Sequence, residues 1–269
     1  MRHTLDIYRR LILVQIRSQL QYRVSFLLDT LATGFQVFIS FITLALILQR
    51  FDGIGGWTLS EVAFLYGMVE VAFGTMDMLF SGFDPANFGR QVRQGAFDQL
   101  LLRPISATLQ VFGSQFIIRR VGRIAQGLAV LTFAIVSLNL DWTPAKLVYL
   151  PIVIASLVCF FGGLFMIGAT ITFWTVDSIE VINIFTYGGS EMMSYPMHIY
   201  PDWVRRFFTY ILPAIFLNYA PALYFLGKPD PLGLPPFAAF LAPVAGIATL
   251  LAALAFWQYG MRHYQSTGT

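Results

Sequence analysis

Long apolar runs separated by short polar stretches set the pattern along this chain. The runs at about 24–49, 59–81, 147–174 and 237–259 are long enough to cross a bilayer, for which a helix needs roughly 20 apolar residues. A long helix at about 107–139 carries Arg119, Arg120 and Arg123 in its first part, so only 124–140 reads as strongly apolar. The stretch 181–226 is apolar but interrupted by Gly188, Gly189, Glu191, Pro196, Pro201, Pro213 and Pro221, more breakers than one straight span holds. It predicts a fifth span at about 180–195, then two short helices, 202–211 and 214–226, that dip back into the bilayer. Non-helical backbone at that depth persists only where protein covers it or a water-filled cavity meets it. The links are short: a Gly-rich one at 50–58, turns at 141–146 and at Asp177, Ser178 and Glu180, and a Pro-rich loop at 228–236.

The first 23 residues differ. Leu5, Tyr8, Ile12, Ile16 and Leu20 share one face of a helix over 3–21, with Asp6, Arg9, Arg10 and Arg17 elsewhere. That suits a helix lying in the membrane interface. Charge and length there argue against a cleavable signal peptide. The pattern therefore predicts an all-α integral membrane protein: an interfacial helix at 1–23, a transmembrane domain of six transmembrane helices at 24–259 with an outward re-entrant helical hairpin at about 202–226, and a polar cytoplasmic tail at 260–269. Composition agrees. Hydrophobic residues make up 57% of the chain and charged ones 12%, against about 25% charged in soluble domains. Lys and Arg fix the orientation. Arg2, Arg9, Arg10, Arg17, Arg23, Arg90, Arg93, Arg103, Arg119, Arg120, Arg123 and Arg262 fall on one side. Arg50, Lys146, Arg205, Arg206 and Lys228 fall on the other. Both termini are expected in the cytoplasm, in a cell (inner or plasma) membrane.

Little in the chain reads as catalysis. There is no phosphate-binding loop and no nucleophile elbow. His3, His198 and His263 lack metal-ligand spacing and read as surface residues. The single cysteine, Cys159, lies in an apolar run and excludes an internal disulfide. The chain is not expected to be an enzyme or to hold a metal or cofactor, and the net charge of +3 gives no reason to expect a nucleic-acid partner.

The segment 83–106 is the most informative stretch. It is amphipathic and basic, broken by Gly95 and stopped by Pro104. Asn87 to Gln94 forms a short helix with Arg90 and Arg93 exposed, Gly95 permits its C-terminal turn, and Phe97 anchors the return. One reading is an ordinary basic loop obeying the charge rule. The other is a surface that transmits force to a soluble partner. The string Val92-Arg93-Gln94-Gly95-Ala96-Phe97-Asp98, followed by Leu101-Leu102-Arg103-Pro104, resembles the cytoplasmic signature of permeases implicated in drug and viologen efflux, within the type-2 (type V) class of ABC exporters. Tyr200-Pro201-Asp202-Trp203-Val204-Arg205, with Leu212-Pro213 and Asn218, is similar to the re-entrant hairpin of that class. The resemblance implies a coupling helix at about 84–95 that engages an ATPase through Asn87, Phe88, Arg90, Gln91, Arg93, Gln94 and Gly95. It also implies two ABC ATPase subunits as partners, which bind the ATP and Mg, and a second permease subunit that is a related chain or another copy.

Acidic residues inside spans complete the candidates. Glu70 and Asp77 are seven residues apart and share a helix face; Glu191 lies near the outer end of the fifth span. A charge at mid-membrane costs roughly 3 kcal/mol or more and needs a partner or water. Asp77 is expected to pair with Arg119, Arg120 or Arg123. For Glu70 and Glu191 the sequence offers no evident partner, and a structural role and a polar lining that attracts cations weigh equally. Phe73, Met192 and Met193 complete the tentative substrate pathway. The aromatics Phe80, Phe173, Trp174, Tyr187, Tyr195 and Phe216 are more often packing residues than ligand contacts. The expected function is the permease subunit of an ATP-driven exporter of an amphiphilic or cationic solute or lipid. The alternatives are an ion- or proton-coupled transporter with Glu70, Asp77 and Glu191 as relay, or a non-transporting scaffold.

Overall fold

A computed structural model describes residues 2–50, 53–175 and 180–266, with side chains from residue 8 and again from 182 after the second gap. The expected turn residues Asp177 and Ser178 lie outside the described residues, as do the side chains of Leu5 and Asp6. Among the described residues the chain is all-α. Five single helices are long and apolar enough to cross a membrane: α2 (Arg23–Arg50), α3 (Leu59–Leu79), Ile118–Leu138, α8 (Pro144–Thr175) and α13 (Ala242–His263). A helix α1 (Arg2–Gln21) precedes them.

α3 is the buried centre, and α2 is mostly exposed. α3 has a local reason to begin where it does. Gly53, Gly55 and Gly56 take positive φ between α2 and α3, and Ile54 and Trp57 exchange backbone hydrogen bonds of 3.0 and 2.9 Å across the turn. Glu61 then closes a capping box with Thr58. In lipid the hydrophobic effect does not hold helices together, so close packing at small residues must. α7 (Val121–Leu138) crosses α3 where a Cβ on Gly67 would lie 2.8 Å from the Leu131 backbone and one on Gly127 would lie 2.8 Å from Val71 N. α13 packs on α8 in the same manner, through Gly163 against Thr249 and Gly246 against Ser156.

One expectation is corrected. The long third helix is broken. α6 (Ala107–Ser114) ends at the extended Gln115, and a 3₁₀ turn at Ile118–Arg120 leads into α7. The cause is α1: Gln15 Nε2 donates to Ser114 O at 2.8 Å, Gln19 Nε2 donates to Phe116 O, and Gln19 Oε1 accepts from Ile118 N–H at 3.1 Å. These side chains take up the backbone groups a continuous helix would have paired. The fifth element is described from Glu180 onward. α9 (Glu180–Asn183) runs through a π-helical turn (Ile184–Gly188) into α10 (Gly189–Met193). The segment expected to form the hairpin holds two helices, Asp202–Ile211 and Ile215–Leu226, bent by 82° at the break between them. It contains α11 (Asp202–Arg206), π turns at Phe207–Ile211 and Ile215–Tyr219, and α12 (Ala220–Leu226).

The bundle has two distinct ends. At one, α4 (Pro85–Arg93), α5 (Ala96–Leu101) and the close of α13 gather Phe83, Phe88, Phe97, Phe173 and Trp257 into one aromatic cluster. α1 sits on α6 nearby, so both terminal helices belong to this end. At the other end the hairpin meets the α2–α3 turn.

Candidate functional site

The cavity that collects the intramembrane charges lies between α2, α3, α7 and α10. It encloses about 400 Å³ and is lined by Thr33, Gln36 and Ser40 of α2, Tyr66, Glu70 and Asp77 of α3, Arg120 and Arg123, and Tyr187, Ser190 and Glu191. The small residues that let α3 and α7 approach also set its charge pattern. Gly127 is one turn beyond Arg123, and Gly67 is one turn before Glu70, so the close crossing brings the two ionic side chains together.

Glu70 is therefore not without a partner, as the sequence reading had it. Arg123 Nε donates to its Oε2 at 2.6 Å and Arg123 Nη2 to its Oε1 at 2.9 Å, a bidentate pair with side-chain exposures of 3% for Glu70 and 13% for Arg123. The guanidinium carbon also stands 4.4 Å from the centre of the Phe73 ring. Asp77 lies 2.8 Å from Arg120 Nε, one of its three expected partners, but the alignment is not that of a hydrogen bond, and its buried Oδ2 has no such partner. The Glu191 side chain is exposed and makes no hydrogen bond or ion pair with the described residues, while its carbonyl accepts from Ser194 N–H at 3.1 Å.

Three of the expected pathway residues, Phe73, Met192 and Met193, do not line the cavity. Phe73 is fully buried, edge-on to Phe161 at 5.2 Å, and backs Arg123 instead of lining the path. Met193 is buried as well, its carbonyl accepting from Asn218 Nδ2 at 2.7 Å. Met192 is half-buried, and its carbonyl accepts from Tyr200 Oη at 3.1 Å.

At the end of the bundle that holds α4, the sequence of that element is built to stand as a short helix. Asp84 Oδ1 accepts from Asn87 N–H at 2.9 Å, Pro85 occupies the first turn, and Gly95 takes φ +67° after the helix. Phe88 and Val92 are fully buried, while Arg90, Arg93 and Gln94 are exposed, Asn87 and Gln91 half-buried, and Gly95 buried. Phe88 therefore anchors the helix and is out of reach of a partner, contrary to its place among the expected contacts. Its ring packs on Phe97 at 5.3 Å, Phe173 at 5.5 Å and Trp257 at 5.2 Å. Phe97 anchors the return as expected. Pro104, expected to stop the segment, lies in the turn before Ser106, the residue that precedes α6.

The hairpin end holds a constellation that the sequence did not reveal. Lys228 Nζ donates to both Glu61 oxygens at 2.8 Å and to Gly56 O at 3.0 Å, over the Trp57 ring. His198, read from sequence as a surface residue, contacts Gly55 O through Nε2 at 2.7 Å and Tyr219 Oη through Nδ1 at 3.2 Å. The hairpin and the α2–α3 turn are tied at two points.

Residues 35–268, from within α2 to the tail, match a family model described as an ABC-2 family transporter protein. The chain belongs to the ABC-2 transporter family. No curated protein and no solved structure matches it. Its place in this family makes the multi-pass bundle a membrane transport component that is not itself catalytic, and implies partnership within an ABC transporter. The match begins within α2, so α1 is outside the matched region.

Proposed function

We propose that this ABC-2 protein is the permease subunit of an ATP-driven exporter. The observation that carries the reading is α4: a short capped helix, fixed by Phe88 and Val92 on the inner cluster, that holds Arg90 and Arg93 outward at the end shared by both terminal helices. Such a rigid basic knuckle suits docking to a separate ATPase, which would carry ATP and Mg. Both termini and this knuckle then belong in the cytoplasm, and the hairpin faces outward. The cavity beside α2 is the transport path. Three carboxylates face two guanidinium groups there, so its balance favours an amphiphilic solute with a cationic group. It opens beside the exposed α2, where a second permease subunit, the same chain or a relative, completes the wall.

Arg90→Glu combined with Arg93→Glu tests this. Both charges are exposed, so the bundle should fold normally while copurification of the ATPase and substrate-stimulated ATP hydrolysis fall at least several-fold. Wild-type values for both would remove α4 from the mechanism. Export that persists without any ATPase and collapses the proton gradient would favour an ion-coupled carrier instead.

A further inference from the structure

Gly188 and Gly189 sit inside the helical stretch 180–193 with φ of −63° and −62°, angles open to any residue. A Cβ at Gly189 would meet nothing within 4 Å, and one at Gly188 only Ile184 Cγ2 at 3.9 Å. Close approach, which explains Gly67, Gly127 and Gly246, does not explain these two. Each costs a helix about 1 kcal/mol relative to alanine. At the same place the helix switches to the π-helical turn Ile184–Gly188, a form that carries one surplus residue.

The two sides of this turn are fastened to different parts of the bundle. Before it, Ile182 packs at Gly168 of α8, where Pro85 at the start of α4 meets the same glycine. Tyr187, within the turn, packs on Phe73 at 5.3 Å and Phe165 at 6.0 Å. After it, Met193 O is held by Asn218 and Met192 O by Tyr200, which are residues of the hairpin region. Glu191, the cavity carboxylate without an ion pair among the described residues, lies just past the turn.

We propose that Ile184–Gly188 is a hinge, and that passage between its π-helical and α-helical forms turns the half tied to α4 against the half tied to the hairpin. Absorbing one residue rotates one half by about 100° and advances it by about 1.5 Å. The change resets Tyr187 and Glu191 relative to each other across the cavity. Movement of α4 reaches the turn through Pro85, Gly168 and Ile182. The inference rests on the transport reading above and assigns the regulation of that cavity.

The test uses the permease with its copurified ATPase in liposomes, in a Cys159→Ala background. Maleimide labelling rates are measured for Glu191→Cys and, separately, Asp202→Cys, without nucleotide and after trapping with ATP and vanadate. The rate at 191 should change at least threefold on trapping. Deleting Gly188, which removes the surplus residue, should abolish that change. Gly189→Ala, which fills open space and stiffens the helix, should at least halve it and should leave basal ATP hydrolysis intact. The alanine variant decides the matter where the deletion fails to fold. An undiminished change at 191 in Gly189→Ala overturns the hinge. So does a nucleotide response at 202 without one at 191, which would leave ATP coupling standing. No response at either position overturns the ATP-driven reading and the hinge with it.

Discussion

The Glu70–Arg123 pair should be worth more to folding than any other polar contact in the bundle, and the reason is geometric. Both hydrogen bonds are short and parallel, the carboxylate is 3% exposed and the guanidinium 13%. Glu70→Leu strands a guanidinium that cannot shed its charge. Arg123→Leu strands a carboxylate among α3 and α7 backbone. Breaking a buried pair from one side costs about 3–5 kcal/mol. The cavity admits some water to Arg123, so about 2–4 kcal/mol is expected for each single variant. Removing both leaves two apolar side chains in a packed site, a change that is often neutral or stabilising. Glu70→Leu/Arg123→Leu should therefore lie within about 1.5 kcal/mol of the parent, giving a coupling energy of at least 2 kcal/mol. Equilibrium unfolding in mixed micelles with rising SDS fraction measures all four corners of the cycle. Single-variant costs that simply add, within about 0.5 kcal/mol, would refute the pairing. Arg120→Leu supplies the contrast. Its contact with Asp77 is misaligned and its side chain is 29% exposed, so its cost should be smaller than that of Arg123→Leu.

Gly67→Val should prevent normal folding, because even a Cβ would lie 2.8 Å from the Leu131 backbone; size-exclusion of detergent-solubilised protein should show loss of the monodisperse peak, and an unchanged peak would count against the α3–α7 crossing. Lys228→Ala should release the α2–α3 turn from the hairpin at a cost of about 1 kcal/mol, read as several-fold faster proteolytic nicking near Gly55 and Gly56. Asp202→Cys in a Cys159→Ala background, with the Asp202 side chain 72% exposed, should react with an impermeant reagent added outside intact cells; labelling from the cytoplasmic side alone would invert the proposed orientation.

What the sequence revealed and what it hid have one physical cause. Apolar runs long enough to cross a bilayer are local, so α2, α3, α8 and α13 could be located within about five residues, and Gly95, which permits a C-terminal turn, made the end of α4 legible as well. The 82° bend at Leu212 and Pro213 follows from a proline, which is also local. Features set by contacts across the chain were not visible. Gln15 and Gln19 break the third helix from nearly a hundred residues away. Arg123 finds Glu70 across 53 residues. The signal for that pairing was present but unused: Gly67 and Gly74 recur at seven residues on the Glu70 helix, and Gly127 is one turn from Arg123. Small residues on two facing spans mark where backbones can touch, and an ionic residue one turn away on each span is then within reach of the other. The glycines between α9 and α10 differ. Gly188 and Gly189 touch nothing that requires them, so packing does not account for their presence, and the π-helical turn they border becomes the place where the helix can change form.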